Sequence, residues 1–367
     1  GGNASSYELV AHDTVTISWT INPKEVTFVW SYTKPFIYSG EEKYITAEVN
    51  PDDIVNNDSF EITYSTEKFD ATNSYTNFAT NVGSYRAKVA GVGNPNYTFN
   101  ENNSNTYRSW EIGKAPLSLS WVGSSLELTM DNRTAVYDGT AKFYSVNGFT
   151  GLMSGEDGGV TIKISYRDTL GTVYNDSNLI NVGSYIATAS VDGEFSGNYY
   201  IVEEDVNFSW SITPLPLIFS WNSVQPEGAV WDNNKIVYDS LTSTPRAQYF
   251  VFDVDNISSR DEVTFFVQLT LGGAAPVNRT VEFDANGLDL EDFISFMNAN
   301  SINAGSYQAK IIALTGTGSG NYTLENATEP EKNWEITPAA IDLTIHTNLF
   351  VVDYNGSSNA FIYNGLN

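Results

Sequence analysis

Few side chains in this 367-residue chain have the types and spacing that chemistry needs. Two histidines, His12 and His346, each stand alone, and no Gly-x-Ser-x-Gly turn accompanies them to complete a Ser-His-Asp site. Ser65 and Lys68 match the spelling S-x-x-K, but the companion motifs of that enzyme class are missing. The acidic runs are more suggestive. Gly155 to Gly159 (GEDGG) and Asp253 to Asn256 (DVDN), with Asp284, Asp289, Glu291 and Asp292, offer the hard oxygen ligands that calcium takes. Asp157, Asp253 and Asp255 are the candidate calcium ligands. None of these runs has EF-hand spacing, and the competing reading is a solvated turn on an acidic surface. A carboxylate pair for glycoside hydrolysis would have to recur in related parts of the chain, and it does not. No catalytic residue is assigned, no cofactor other than calcium is expected, and the chain reads as non-enzymatic.

The bulk composition narrows the partners. Eighteen Lys and Arg stand against 44 Asp and Glu, a net charge of -26, which repels nucleic-acid phosphates and anionic lipid headgroups. With no cysteine, disulfides and thiolate chemistry are excluded. No apolar run reaches the length of a membrane-spanning helix, so no direct membrane insertion is expected. At 41% hydrophobic and 14% aromatic residues, there is material for several cores.

Those cores are marked by a repeat. NVGSYRAKV ends at Val89, NVGSYIATA at Ala189 and NAGSYQAKI at Ile311; each is followed by an Asn-Tyr pair (Asn96-Tyr97, Asn198-Tyr199, Asn321-Tyr322) and a Trp-x-Ile step (Trp110, Trp210, Trp334). The phase divides the chain into a preceding repeat's tail (1–22), repeat 1 (23–113), repeat 2 (114–213), repeat 3 (214–337) and a following repeat's head (338–367). Both ends fall inside a repeat, so the sequence reads as a window on a longer array. Short Pro-containing joints lead each last strand into the next first strand, and a second tryptophan follows the joint at Trp30, Trp121 and Trp221, with Ile345 at the fourth place. Pro stiffens such a joint.

Within a repeat, Val, Ile, Thr and aromatics alternate with polar residues between Gly, Asn and Asp turns, which predicts an all-β fold. In repeat 2 the expected strands are 115–121, 134–146, 160–166, 183–191 and 199–212. Along 183–191, Tyr185, Ala187, Ala189 and Val191 share one face. Tyr85, Tyr185 and Tyr307 occupy the place of the corner tyrosine of immunoglobulin-like sandwiches, with Ala87, Ala187 and Ala309 at the cysteine position. Tandem immunoglobulin-like β-sandwiches in a head-to-tail rod are therefore expected, with β-grasp-like units as the alternative. Tyr85, Tyr185, Tyr307, Trp110, Trp210 and Trp334 are assigned structural roles.

YDG-type steps (Tyr38-Ser39-Gly40, Tyr137-Asp138-Gly139, Tyr238-Asp239-Ser240), followed by GSY, SGNYY and WSITPLPL phrases, make the chain resemble the YDG and MBG repeat domains of large bacterial surface proteins and adhesins. The resemblance implies an extracellular location on a bacterial cell surface or wall, and a role as stalk or adhesive array. Its implied partners are a host or neighbouring-cell surface protein or glycan. A carbohydrate-binding array using exposed aromatics is the alternative function. A Lys-Asn isopeptide bond common to all repeats is not expected, because Lys88 and Lys310 are matched by Thr188. Repeat 3 carries extra residues near 271–303, where Leu288, Leu290, Phe293, Ile294 and Met297 fall at helical spacing. A short amphipathic helix is expected there, either lying on the sandwich or serving as a binding element.

Overall fold

The alternating segments pair into strands along the whole described chain, giving a mostly β, sandwich-like fold of several sheets. The computed structural model describes residues 17–239 and 244–341. His12, His346, Ile345, most of 1–22 and nearly all of 338–367 lie outside the described residues. The chain divides into two compact units between Thr213 and Pro214, so that repeats 1 and 2 share one unit and repeat 3 belongs to the other.

Repeat 2 shows the plan. Ala115–Gly123 lies between Tyr144–Thr150, antiparallel, and Tyr199–Ile201, parallel. A second sheet runs Thr134–Val136, Asn207–Thr213, Gly183–Asp192, Thr161–Asp168, Val173–Tyr174. Aromatic rings bridge the two layers: Trp121 and Tyr144 of the first sheet sit 5.4 Å and 4.3 Å from Phe208 of the second. Offset and edge contacts of this kind add to the burial of the rings themselves. Repeat 3 repeats the scheme, with Phe219 and Phe252 packed 6.0 Å and 5.8 Å from Phe265. Repeat 1 has one four-stranded sheet, Phe36–Ile37, Tyr107–Gly113, Gly83–Val92, Ile62–Tyr64, and several two-stranded pairs.

One antiparallel register recurs in all three repeats. Tyr85 faces Trp110, Tyr185 faces Trp210, and Tyr307 faces Trp334 across an antiparallel pair. Their ring centroids are 4.8, 5.6 and 5.5 Å apart. Each tyrosine hydroxyl donates back to the carbonyl of the Asn four residues earlier, Asn81, Asn181 or Asn303. In repeats 1 and 2 the ring curls over the glycine between them: a Cβ on Gly83 or Gly183 would lie 3.1 or 3.2 Å from the tyrosine ring, whereas Gly305 of repeat 3 abuts Gly272. The strand face reads as its alternation demands, with Tyr185, Ala187 and Ala189 buried.

Two expected strands are each split between the sheets. The segment 134–146 breaks at Gly139, which adopts a left-handed turn at φ +77°, into Thr134–Val136 and Tyr144–Thr150. The segment 199–212 breaks at the single helical turn Glu203–Val206, whose first-turn carboxylates suit a helix start. There Asp205 accepts the Leu119 amide N–H through its side chain at 2.8 Å and the Trp121 indole N–H through its carbonyl at 3.1 Å, which ties the turn to the first sheet.

The extra residues of repeat 3 hold a helix shorter at its start than expected, Glu291–Asn300, with Leu290 at its N-cap and Leu288 in a strand; Val277–Asp284 and that strand, Gly287–Asp289, widen the sheet. Phe293 and Met297 are buried, and Phe293 packs 6.0 Å from Phe252. The helix is thus part of the core of repeat 3. Phe293→Ala should lower its stability by about 3 to 5 kcal/mol, measured by urea denaturation; a change under about 1 kcal/mol would mean that the helix is an appendage.

Candidate functional site

Where repeat 1 passes into repeat 2, only Lys114 separates the strand Tyr107–Gly113 from Ala115–Gly123. Short strands join in parallel on both sides of that residue. Phe36–Ile37 lies beside Ile112 and Gly113, and Tyr199–Ile201 lies beside Ala115 to Leu117. The Tyr38 amide then donates to the Gly113 carbonyl at 2.9 Å. Tyr38 and Tyr199 are thereby brought edge to face, with centroids 5.5 Å apart.

Both hydroxyls donate to one carboxylate, that of Glu156, Tyr38 to Oε1 and Tyr199 to Oε2. Glu156 is only 9% exposed, and a buried carboxylate needs such partners. The Tyr199 oxygen also accepts the Met153 amide N–H at 3.0 Å. Burial first, and the Glu156 carboxylate second, push both phenols up to about 12. Beside them, Asn198 Oδ1 accepts the Val82 amide N–H at 3.1 Å, and Asn198 Nδ2 reaches Asn81 Oδ1 at 3.4 Å. Around this polar centre one apolar core runs unbroken from Tyr38, Ile45, Trp110 and Ile112 of repeat 1 to Leu117 and Val160 of repeat 2.

The half of this device that belongs to the receiving repeat recurs. In repeat 1 the Tyr97 hydroxyl donates to Asp58 at 2.8 Å and accepts the Val55 amide at 3.0 Å. In repeat 3 the Tyr322 hydroxyl donates to Asp261 at 2.6 Å and accepts the Ser258 amide at 2.8 Å. Each acid stands three residues after the amide donor, in a turn closed by its own N–H. Sequence reasoning missed these acids because insertions vary their distance from the Asn-Tyr pair. The signal was the common three-residue step Val55 to Asp58, Met153 to Glu156 and Ser258 to Asp261.

The calcium candidates are placed otherwise. Asp157 is exposed, next to the buried Glu156. Asp253 caps the Val254 amide at 2.8 Å, and Asp255 lies 3.5 Å from the Ser220 hydroxyl. Among the described residues, no three His, Cys, Asp or Glu side chains gather as a metal site. The structural tryptophans Trp110 and Trp210 are buried and donate to the carbonyls of Thr76 and Lys142; Trp334 is likewise buried. Trp30, Trp121 and Trp221 each donate an indole N–H to a carbonyl of their own repeat: Asn105, Asp205 and Glu329. No described helix is long and apolar enough to cross a membrane.

No protein-family model matches the sequence, and no curated protein matches it. Among solved structures it is similar to two crystal structures of Salmonella alpha-2-macroglobulin, one a mutant and one reacted with methylamine. Each is 10% identical with a TM-score of 0.20, and 89% and 90% of this chain aligns with 24% of that one. The chain thus spans about a quarter of the length of the proteins it matches.

The joint carries a pH signature. Tyrosine ordinarily ionises at 10.0, and in the joint at about 12, so the neutral hydroxyls contribute stability fully below pH 10 and lose it as pH rises towards 12. In an alkaline absorbance titration, Tyr38→Phe and Tyr199→Phe should each remove one late-ionising tyrosine. If both ionise near pH 10 while the chain stays folded, the buried joint is wrong.

Proposed function

We propose that this chain is a non-enzymatic segment of a bacterial cell-surface protein, a head-to-tail rod of immunoglobulin-like sandwiches serving as stalk or adhesive surface. The observation that carries the reading is the joint between repeats 1 and 2. A shared apolar core and a carboxylate buried between Tyr38 and Tyr199 resist bending, unlike a solvated linker. The likeness of its YDG and GSY phrases to repeat domains of adhesins supports the location, and the net charge of -26 suits an exposed, soluble array. A carbohydrate-binding array is favoured by the exposed cross-strand pair Tyr44 and Phe78 of repeat 1.

Spin labels test the stiffness cleanly because the chain has no cysteine of its own. With Asn102→Cys in repeat 1 and Ser177→Cys in repeat 2, both exposed positions, the label-to-label distance should be narrowly distributed. Glu156→Ala leaves two buried hydroxyls without their acceptor at a cost of about 1 to 3 kcal/mol each, and the distribution should broaden. A broad distribution in the parent protein would remove the physical basis for a stalk.

A further inference from the structure

Repeat 1 differs from its sisters on the outward face of the GSY strand. Arg86 stands where repeats 2 and 3 have Ile186 and Gln308. Its guanidinium carbon lies 4.8 Å from the centre of the Tyr107 ring and 5.9 Å from those of Phe69 and Tyr75. Among the described residues, the guanidinium makes no ion pair and no hydrogen bond, although carboxylates outnumber cations 44 to 18. Arg86 also lines an open groove of about 390 Å³, together with Tyr32, Phe69, Asn73, Ser84 and Glu111. Stacking occupies the face of a guanidinium and leaves its N–H edge free for a planar anion.

The walls are held in place before any ligand arrives. On one side, Asp70 Oδ1 accepts the amides of Thr72 and Asn73 at 2.8 and 2.7 Å, and the Phe69 amide donates to the Asn73 carbonyl at 3.0 Å. The Asn73 side chain first, then these amides, hold the Asp70 carboxyl at about 2, so the turn persists through ordinary pH. On the other side, the Tyr32 hydroxyl accepts the Glu111 amide at 3.2 Å, and Arg108 binds the Tyr32 carbonyl at 2.8 Å. A preformed groove loses less ordering entropy on binding.

We propose that this groove of repeat 1 binds a pyranose sugar bearing a single carboxylate, with Arg86 taking the carboxylate and Phe69 and Tyr32 taking the apolar faces of the ring. Two fixed donors along one edge of Arg86 match two carboxylate oxygens. Ser84, Ser109 and Asn73 add polar side chains to the lining of the groove. The strongly negative chain disfavours polyanions, which selects one acidic residue at the end of an otherwise neutral glycan. Binding at this groove and stiffness at the joint are independent, and different experiments read them.

The test uses the full chain in NMR titrations with methyl glucuronide, methyl glucoside and acetate. Glucuronide should bind at least about tenfold more tightly than either of the others, the value of one charge-assisted contact. Arg86→Gln, the residue repeat 3 carries at this position, should erase the preference for glucuronide while the chain keeps a cooperative melting transition; Phe69→Ala should weaken both sugars alike. Equal binding of glucoside, or a preference that survives Arg86→Gln, overturns the carboxylate assignment. Acetate or a peptide with a free C-terminus binding as tightly as glucuronide overturns the assignment to a sugar.

Discussion

The unit formed by repeats 1 and 2 depends on one buried carboxylate. Glu156 is nearly buried, and its two oxygens accept one hydroxyl each, from Tyr38 of one repeat and Tyr199 of the other. An unpaired carboxylate in that position would cost several kcal/mol, so an arrangement of the two repeats that moves either hydroxyl away is penalised. The apolar core around it supplies most of the burial, but burial is not directional. The hydrogen bonds to Glu156, with those of Asn198 to Asn81 and Val82, set the orientation.

This constraint explains why the repeated phrases travel together. The GSY tyrosine and the Trp-x-Ile tryptophan face each other across an antiparallel strand pair, which sets the register of those strands. The Asn-Val that opens the first phrase meets Asn198 of the following repeat, and the tyrosine of that Asn-Tyr pair holds the acid. One half of the motif therefore builds each repeat, and at the joint of repeats 1 and 2 the other half ties one to the next. Elsewhere the repeats diverge: repeat 3 gains a hairpin and a buried helix, and in repeat 1 the turn around Asp70 carries Phe69 and Tyr75 over Arg86. A rigid scaffold with local elaborations is the usual way for such domains to carry binding.

Much of the fold was legible because its signals are local. The alternation in Tyr185, Ala187 and Ala189, the glycine before each corner tyrosine, and the helical spacing of Phe293 and Met297 are all written within about ten residues. The same alternation misled where a strand changes sheets, since 134–146 and 199–212 keep their pattern through the break. There the turn at Gly139 and the anchoring of Asp205 decide, and both depend on partners elsewhere in the chain.

By itself, then, the sequence determined the repeat, the β character of each unit, the inward faces and the absence of thiol chemistry. Only the tertiary structure decided which acid matters. In GEDGG, Glu156 and Asp157 are alike as sequence, and the reading as calcium ligand or solvated turn favoured Asp157. Folding buries Glu156 against Tyr38, 118 residues away, and Tyr199, 43 residues away, and leaves Asp157 in water. The same holds for Arg86, one cation among 18 until Phe69 and Tyr75 of one turn and Tyr107 of a neighbouring strand close around it. Solvation is a property of the assembled surroundings, and residues that far apart in the chain meet only in the fold.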